Sequence, residues 1–428
     1  MTLKKRVTLI IFGIIVFGLA GPAIIFMAQG YSYDFKGNRL VPSGTLVVTT
    51  QPRGAAVQLG DNNLGATPQT QRFLHAGEYS LLIEKNGYRQ WKKRVNITPG
   101  QVTFAPDSNG EIYLFLGEVQ EIFDSFNVSD FFALDDEIHY LDTASQHIYR
   151  TGFAETNSTL AASTTLPLND ALIANARTQN DVSEYILATP EGYWYVSPNA
   201  EKRLAMTWPL QFGRDPGSIV GIDITGDLVE TSDLGTKSIA SKVLAFTKRS
   251  DDIYYLSSAP ASKFFLYHID ESGNSNPLMP VPAFSNAEII VSPQNNLYLL
   301  LDDDLYEINE TLEKISNAVN FAAWDEGGET LLYGNNHELW AYKPQSSPSE
   351  KLISRSTQPI LGGVLNETTR HAFWIEGNEI KAIEVNDAGQ PNVYSLLIAA
   401  NPKKITLNAA GNILGLLDGQ TLKLFRLR

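Results

Sequence analysis

The chain of 428 residues contains no cysteine. That excludes disulfides and thiolate metal sites, so the fold holds without cross-links. Histidine is scarce too: there are six, and none forms an H-x-H or H-E-x-x-H pair. No G-x-S-x-G elbow, P-loop or G-x-G-x-x-G is present, which removes the common signatures of serine hydrolases, phosphate-binding loops and dinucleotide folds. Positive charge is in deficit, with a net −14. From Pro106 onward 21 basic residues face 43 acidic ones, a net −22, and no nucleic-acid role is expected for that part. Between Arg6 and Asp34 charge of either sign is missing altogether.

That uncharged stretch holds the most informative feature present. Val7 to Ala28 is an apolar run of 22 residues preceded by Lys4, Lys5 and Arg6. As a helix it would be about 33 Å long at ~1.5 Å per residue, enough for a ~30 Å hydrocarbon core. The basic flank stays on the cytoplasmic side, so residues 1–6 are expected inside and the rest outside. Tyr31 and Tyr33 follow at interfacial depth. The alternative is a leader cleaved after Gly18-Leu19-Ala20. Against it, Ile24 to Met27 keep the run apolar past that triplet. A linker is expected over 29–43.

Residues 44–105 then read as short strands joined by Gly and Pro turns. Thr45 to Thr50 is β-rich, Val57 and Leu59 alternate with polar neighbours, and Tyr79, Leu81 and Ile83 alternate again. A small antiparallel sandwich is expected. Its charge is +4, from seven basic residues against three acidic ones. Arg89, Lys92, Lys93 and Arg94 form a basic cluster that can contact an anionic surface or lie as a solvated strand face.

The landmarks of this segment resemble those of the PEGA domain, a small β-rich module of bacterial and archaeal envelope proteins. They run Gly44, Pro52-Arg53-Gly54-Ala55, Gly60, Gly65-Ala66-Thr67-Pro68, Gly77-Glu78-Tyr79 and Gly87-Tyr88. Arg53 stands where the family name has an acid, at a turn position expected to be exposed. The resemblance implies a spacer or envelope-contact module without chemistry of its own. Tyr88 is the candidate core aromatic.

Residues 111–428 repeat a polar turn followed by an alternating strand. The first apolar residues fall at 138, 193, 253, 305, 339, 380 and 422, and the last steps of about 40 match propeller blades. The expected fold is therefore an all-β ectodomain, a PEGA-like sandwich plus a β-propeller of about seven blades, behind one transmembrane helix. Ile112 to Leu116 is expected to supply the strand missing from the last blade. Two stacked sandwiches are the alternative.

Little in this part points to chemistry. Asp302-Asp303-Asp304 and Asp270 to Asn274 carry oxygen ligands of the calcium type, without the full spaced set. Turns use the same residues for conformational reasons. His139 and His147 lie on adjacent strands. Tyr193, Trp194 and Tyr195 are consecutive, so they face both sides of a strand and are candidate ligand-contact aromatics. No catalytic residue, metal ligand or cofactor is assigned. The expected function is a membrane-anchored extracytoplasmic binding or scaffolding platform for an envelope protein or glycan. The alternative is an envelope glycan hydrolase or lyase with carboxylates in the propeller funnel.

Overall fold

The structure is a computed structural model that describes residues 3–34, 37–105, 111–134, 136–179, 181–250, 252–259, 263–270, 272–325, 327–344, 346, 349–366, 368–385 and 392–427. The chain divides into two compact units, one of residues 1–118 with 384–393, the other of 119–383 with 394–427.

The first unit begins with the helix Leu3–Ala28, whose Leu9–Met27 stretch is long and apolar enough to cross a membrane. Large apolar side chains such as Phe12, Phe17 and Ile24 are exposed on it. Gly30 ends the helix at φ +83°, its N–H donating to Met27 O at 3.1 Å. A left-handed cap of this kind favours glycine. A Cβ at Gly30 would also lie 2.4 Å from the backbone of Gly100, so no other residue fits. Residues 31–51 then form a hairpin: Tyr31–Asp34 pairs antiparallel with the long strand Arg39–Gln51.

Two sheets share one core. In the first, Arg39–Gln51 pairs antiparallel with Gln69–His75 and parallel with Val102–Ala105 and Glu111–Tyr113. The second holds Asn62–Ala66, Ala56–Leu59, Gly77–Glu84 and Trp91–Ile97 in that order. Leu46 and Val48 from one, and Val57, Leu59, Leu81 and Ile83 from the other, are buried together. Each stabilises the unit by about 2 kcal/mol through removal of its side chain from water. The sandwich is thus mixed, not purely antiparallel, because the 13-residue strand Arg39–Gln51 outlasts any one partner. The core aromatic is Trp91, 1% exposed, while Tyr88 is half-buried in an isolated bridge to Leu116.

The family landmarks have local causes. Gly54 adopts φ +79°, and Ala55 is buried where a larger side chain would displace the core. The buried Thr67 hydroxyl accepts from Ala55 N at 3.0 Å and bonds Thr50 Oγ1 at 2.6 Å, which ties the two Pro turns together. Arg53 is exposed and only its carbonyl is used, by Lys85 Nζ at 2.8 Å. An acid or a base fits that position equally well.

Among the described residues the second unit contains eight four-stranded sheets. Sheets I to VII run through 128–163, 172–204, 206–240, 243–281, 287–316, 321–355 and 360–398. Sheet VIII joins Pro402–Leu407, Ile413–Asp418 and Thr421–Leu427 to Val119–Phe126, which pairs with the last of these. The strand that completes the final sheet is therefore Val119–Phe126. Glu111–Tyr113 pairs within the first unit instead. First strands contact first strands from I to II, II to III, III to IV, IV to V, VI to VII and VII to VIII. Consecutive meanders stacked by their first strands are the arrangement of a β-propeller.

Eight four-stranded sheets are described, and the seven repeat positions of the sequence fall within seven of them. Third strands start at 147, 192, 228, 263, 304, 338, 379 and 421. Their spacing is 34 to 45 residues. Positions 138 and 253 lie on second strands, and sheet III was passed over within the long step between 193 and 253.

A hydrogen bond spans every junction between neighbouring sheets. Asp130 Oδ2 accepts from Ile173 N, Arg177 Nη1 donates to Gly213 O, and Gln211 Nε2 donates to Thr247 Oγ1. Arg249 Nη2 donates to Pro293 O, Tyr342 to Glu307, and Asn320 Nδ2 to Ile360 O. Asn366 Nδ2 donates to Ala409 O, and Lys404 Nζ donates to Asp130 Oδ1.

Candidate functional site

Among the described residues a cleft of about 360 Å³ lies between sheets II and III. That is within the size range of small-ligand sites. The ends of the strands Leu172–Gln179 and Leu228–Ser232, with the turn Pro216-Gly217, wall its mouth. Val182, Leu204 and Ile219 supply apolar surface. Gln179, Lys202 and Asp233 supply polar groups, the last two exposed and of opposite charge. The Gln179 Oε1 atom is buried without a hydrogen-bond partner.

Glu184 lies at the base of this cleft and is almost fully buried. Its oxygens are already engaged. Oε2 takes Arg177 Nε at 2.5 Å, and Oε1 takes Gly217 N at 2.7 Å and the Tyr195 hydroxyl. Arg177 also donates to Gly213 O and Asp215 O and lies 4.6 Å from the centre of the Phe212 ring. Burial first, then the bond to Glu184, push the Tyr195 hydroxyl up to about 12, so it stays a proton donor. This carboxylate organises the cleft. Glycosidase chemistry needs two carboxylates free to act. The described lining holds Glu184 and Asp233, and Glu184 is committed to structure.

Strand alternation separates the three consecutive aromatics. Tyr195 faces the cleft, and Trp194 packs on the core between sheets I and II. Tyr193 stacks on the exposed Trp208 at 6.4 Å, interplanar 27°. Trp208, on sheet III, is not among the residues the sequence marks as ligand contacts. A bulge between Thr207 and Leu210 leaves Trp208 exposed, and Pro209 within the strand is the sequence signal that marks it.

The basic cluster is divided in the same way. Lys92 and Arg94 are exposed on one face of Trp91–Ile97, where Arg94 lies 3.5 Å from Glu78. Lys93 shares the inner face with Trp91 and Val95. It pairs at 3.1 Å with Glu384, which also accepts from Trp91 Nε1 at 3.0 Å, all within the first unit. Arg89 is half-buried, 5.9 Å from the Phe115 ring centre. Alternation places Lys93, alone of the three cations between Trp91 and Val95, on the inner face; its partner lies 291 positions away.

The acidic turns use their oxygens locally. Asp302 Oδ1 accepts from Ser285 N and Asn286 N, and Asp304 pairs with Lys314. Asp270 Oδ1 accepts from Ser272 N and Asn274 N, and those backbone bonds hold its carboxyl below the usual range. Glu271 lies outside the described residues. His139 Nδ1 bonds the Tyr185 hydroxyl at 2.7 Å, while His147 Nδ1 bonds Gln146 O.

With this geometry in view, comparison with known proteins gives the following. A profile described as the PEGA domain matches residues 43–105. No curated protein matches the chain. Similar solved structures include the computationally designed Ika8 protein, at 11% identity and TM-score 0.49, covering 72% of this chain and 99% of that one. The WD40 β-propeller domain of Doa1 is similar at 9% identity and TM-score 0.39, covering 73% and 97%. A chain of the Mitotic Checkpoint Complex is similar at 12% identity and TM-score 0.39, covering 72% and 91%. Residues 43–105 carry a PEGA domain, behind an apolar N-terminal helix and ahead of the stacked four-stranded sheets described above.

Proposed function

We propose that this chain is a membrane-anchored extracytoplasmic binding protein that presents a closed, eight-bladed propeller to an envelope protein or glycan. The helix Leu3–Ala28 holds it in the membrane with residues 1–6 in the cytoplasm. The PEGA-like module over 44–105 spaces it, and Lys92 and Arg94 contact anionic surface groups. Ring closure is supported by Val119–Phe126 pairing with Thr421–Leu427 and by Lys404 reaching Asp130. The observation that carries the binding reading is the cleft of about 360 Å³. It combines apolar walls, an unsatisfied Gln179 acceptor and two opposite charges around a carboxylate fixed in place by three donors. Such a cleft suits a ligand with an apolar body and an N–H or O–H donor.

The test is capture by the purified full chain in detergent, from envelope extracts and on a glycan array, alongside Gln179→Ala and Asp233→Ala. Retention of a protein or glycan by the wild type, lost in both variants, supports the reading. No retention on either, or retention indifferent to both substitutions, overturns it.

A further inference from the structure

A second concavity, a depression of about 410 Å³, lies where the first strands of sheets IV, V and VI end. Thr247, Lys248 and Arg249 come from sheet IV, Val291 and Pro293 from sheet V, and Trp324 from sheet VI. Among the described residues no carboxylate lines it, in a unit whose sequence is strongly acidic. Lys248 Nζ donates only to the nearby Ser250 O, and Arg249 Nη2 to Pro293 O, which leaves further N–H groups on both cations. Among the described residues neither cation forms an ion pair. Two described acids nearby are engaged elsewhere. Asp252, opposite Arg249 in the hairpin, pairs with His268 at 2.7 Å, and Asp325 accepts from Glu329 N at 2.8 Å. The Trp324 indole N–H is a buried donor with no acceptor. A buried unsatisfied donor calls for a partner.

We infer that this depression is an oxyanion site, in which Lys248, Arg249 and the Trp324 indole N–H hold a carboxylate or phosphate group. A planar guanidinium fork and a point-charge ammonium are the usual recognition pair for such groups. The site is independent of the cleft between sheets II and III, and either can fail without the other.

The experiment follows the indole ¹⁵N–¹H signals of the full chain in detergent. Trp324→Phe assigns the Trp324 signal. Inorganic phosphate and D-glucuronate are titrated separately against chloride at matched ionic strength, with glucose as the neutral control. The Trp324 signal is expected to move saturably with at least one of the two oxyanions and with neither control. Which one moves it separates phosphate from carboxylate recognition. Lys248→Gln and Arg249→Gln are each expected to weaken binding tenfold or more. Lys248→Gln guards against misfolding, since it removes only a contact to Ser250, and unchanged signals from the other indoles verify the fold. A Trp324 signal unmoved by both oxyanions, or moved equally in Lys248→Gln, overturns the inference.

Discussion

Lys404 Nζ lies 3.0 Å from Asp130 Oδ1, joining sheet VIII to sheet I across 274 positions of sequence. Asp130 is buried, and its other oxygen accepts from Ile173 N at 2.9 Å in sheet II, so one carboxylate ties three sheets. Lys404 is 41% exposed and also donates to Phe131 O. Asp130→Ala strands a buried backbone N–H and an ammonium together and is expected to cost about 2–4 kcal/mol. Lys404→Met leaves the buried Asp130 carboxylate with only its bond from Ile173 N and is expected to cost about 2–4 kcal/mol as well. Urea unfolding of the two variants measures both costs; a loss under about 1 kcal/mol for Asp130→Ala would contradict the assignment of Asp130 as the hub.

The cleft's buried carboxylate gives a second prediction. Glu184→Ala leaves Arg177 and Gly217 N without their acceptor and is expected to destabilise the propeller by about 3–5 kcal/mol. Tyr195→Phe removes one donor and is expected to cost about 1 kcal/mol. If Glu184→Ala instead left stability unchanged, Glu184 would be available for chemistry and the hydrolase reading would regain ground.

His371 sets a pH dependence. Burial, at 0% exposure, pushes its imidazole down to about 4 against the weaker upward pull of its bond to Thr369 O. The unfolded chain titrates near 6.5, so it binds the proton first as pH falls. Stability from this group is therefore complete above pH ~6.5 and lost progressively toward pH ~4, by about 3 kcal/mol in all. His371→Leu is expected to flatten that part of the profile. Thermal unfolding of both proteins across this range decides it, and parallel profiles would exclude His371 as the cause.

Glycine positions separate strain from space. Gly30 combines φ +83° with a Cβ clash at 2.4 Å, whereas Gly60 has φ +56° and nothing within 4 Å. Gly60→Ala is expected to cost about 1–2 kcal/mol from backbone strain alone. Gly30→Ala is expected to cost more, because the Gly100 backbone must also move. Chemical denaturation of the paired variants checks the order.

Much of this architecture is legible in the sequence because it rests on local rules. Alternation marks Tyr79, Leu81 and Ile83 as one strand face, and the apolar run ends at Ala28 as the helix does. Turn glycines such as Gly54 sit where the family spacing puts them. What escapes is non-local. Sheet III lies within the long step between positions 193 and 253, where Leu228-Val229 opens its third strand. Lys93 looks like its neighbours Lys92 and Arg94 until Glu384 is brought to it. The cleft at Glu184 draws Arg177, Tyr195 and Gly217 from different strands, and no spacing rule joins them. Trp208 is exposed by a bulge, which is a property of the pairing rather than of the residue.

We propose that the apolar helix Leu3–Ala28 holds the propeller outside the membrane. The cysteine-free chain permits a direct test: Leu234→Cys places one thiol at a position 99% exposed. In cells expressing the full chain, a membrane-impermeant maleimide is expected to label it before permeabilisation, on protein that stays in the membrane fraction. Labelling only after permeabilisation, or recovery of the chain free of membrane, would contradict the account.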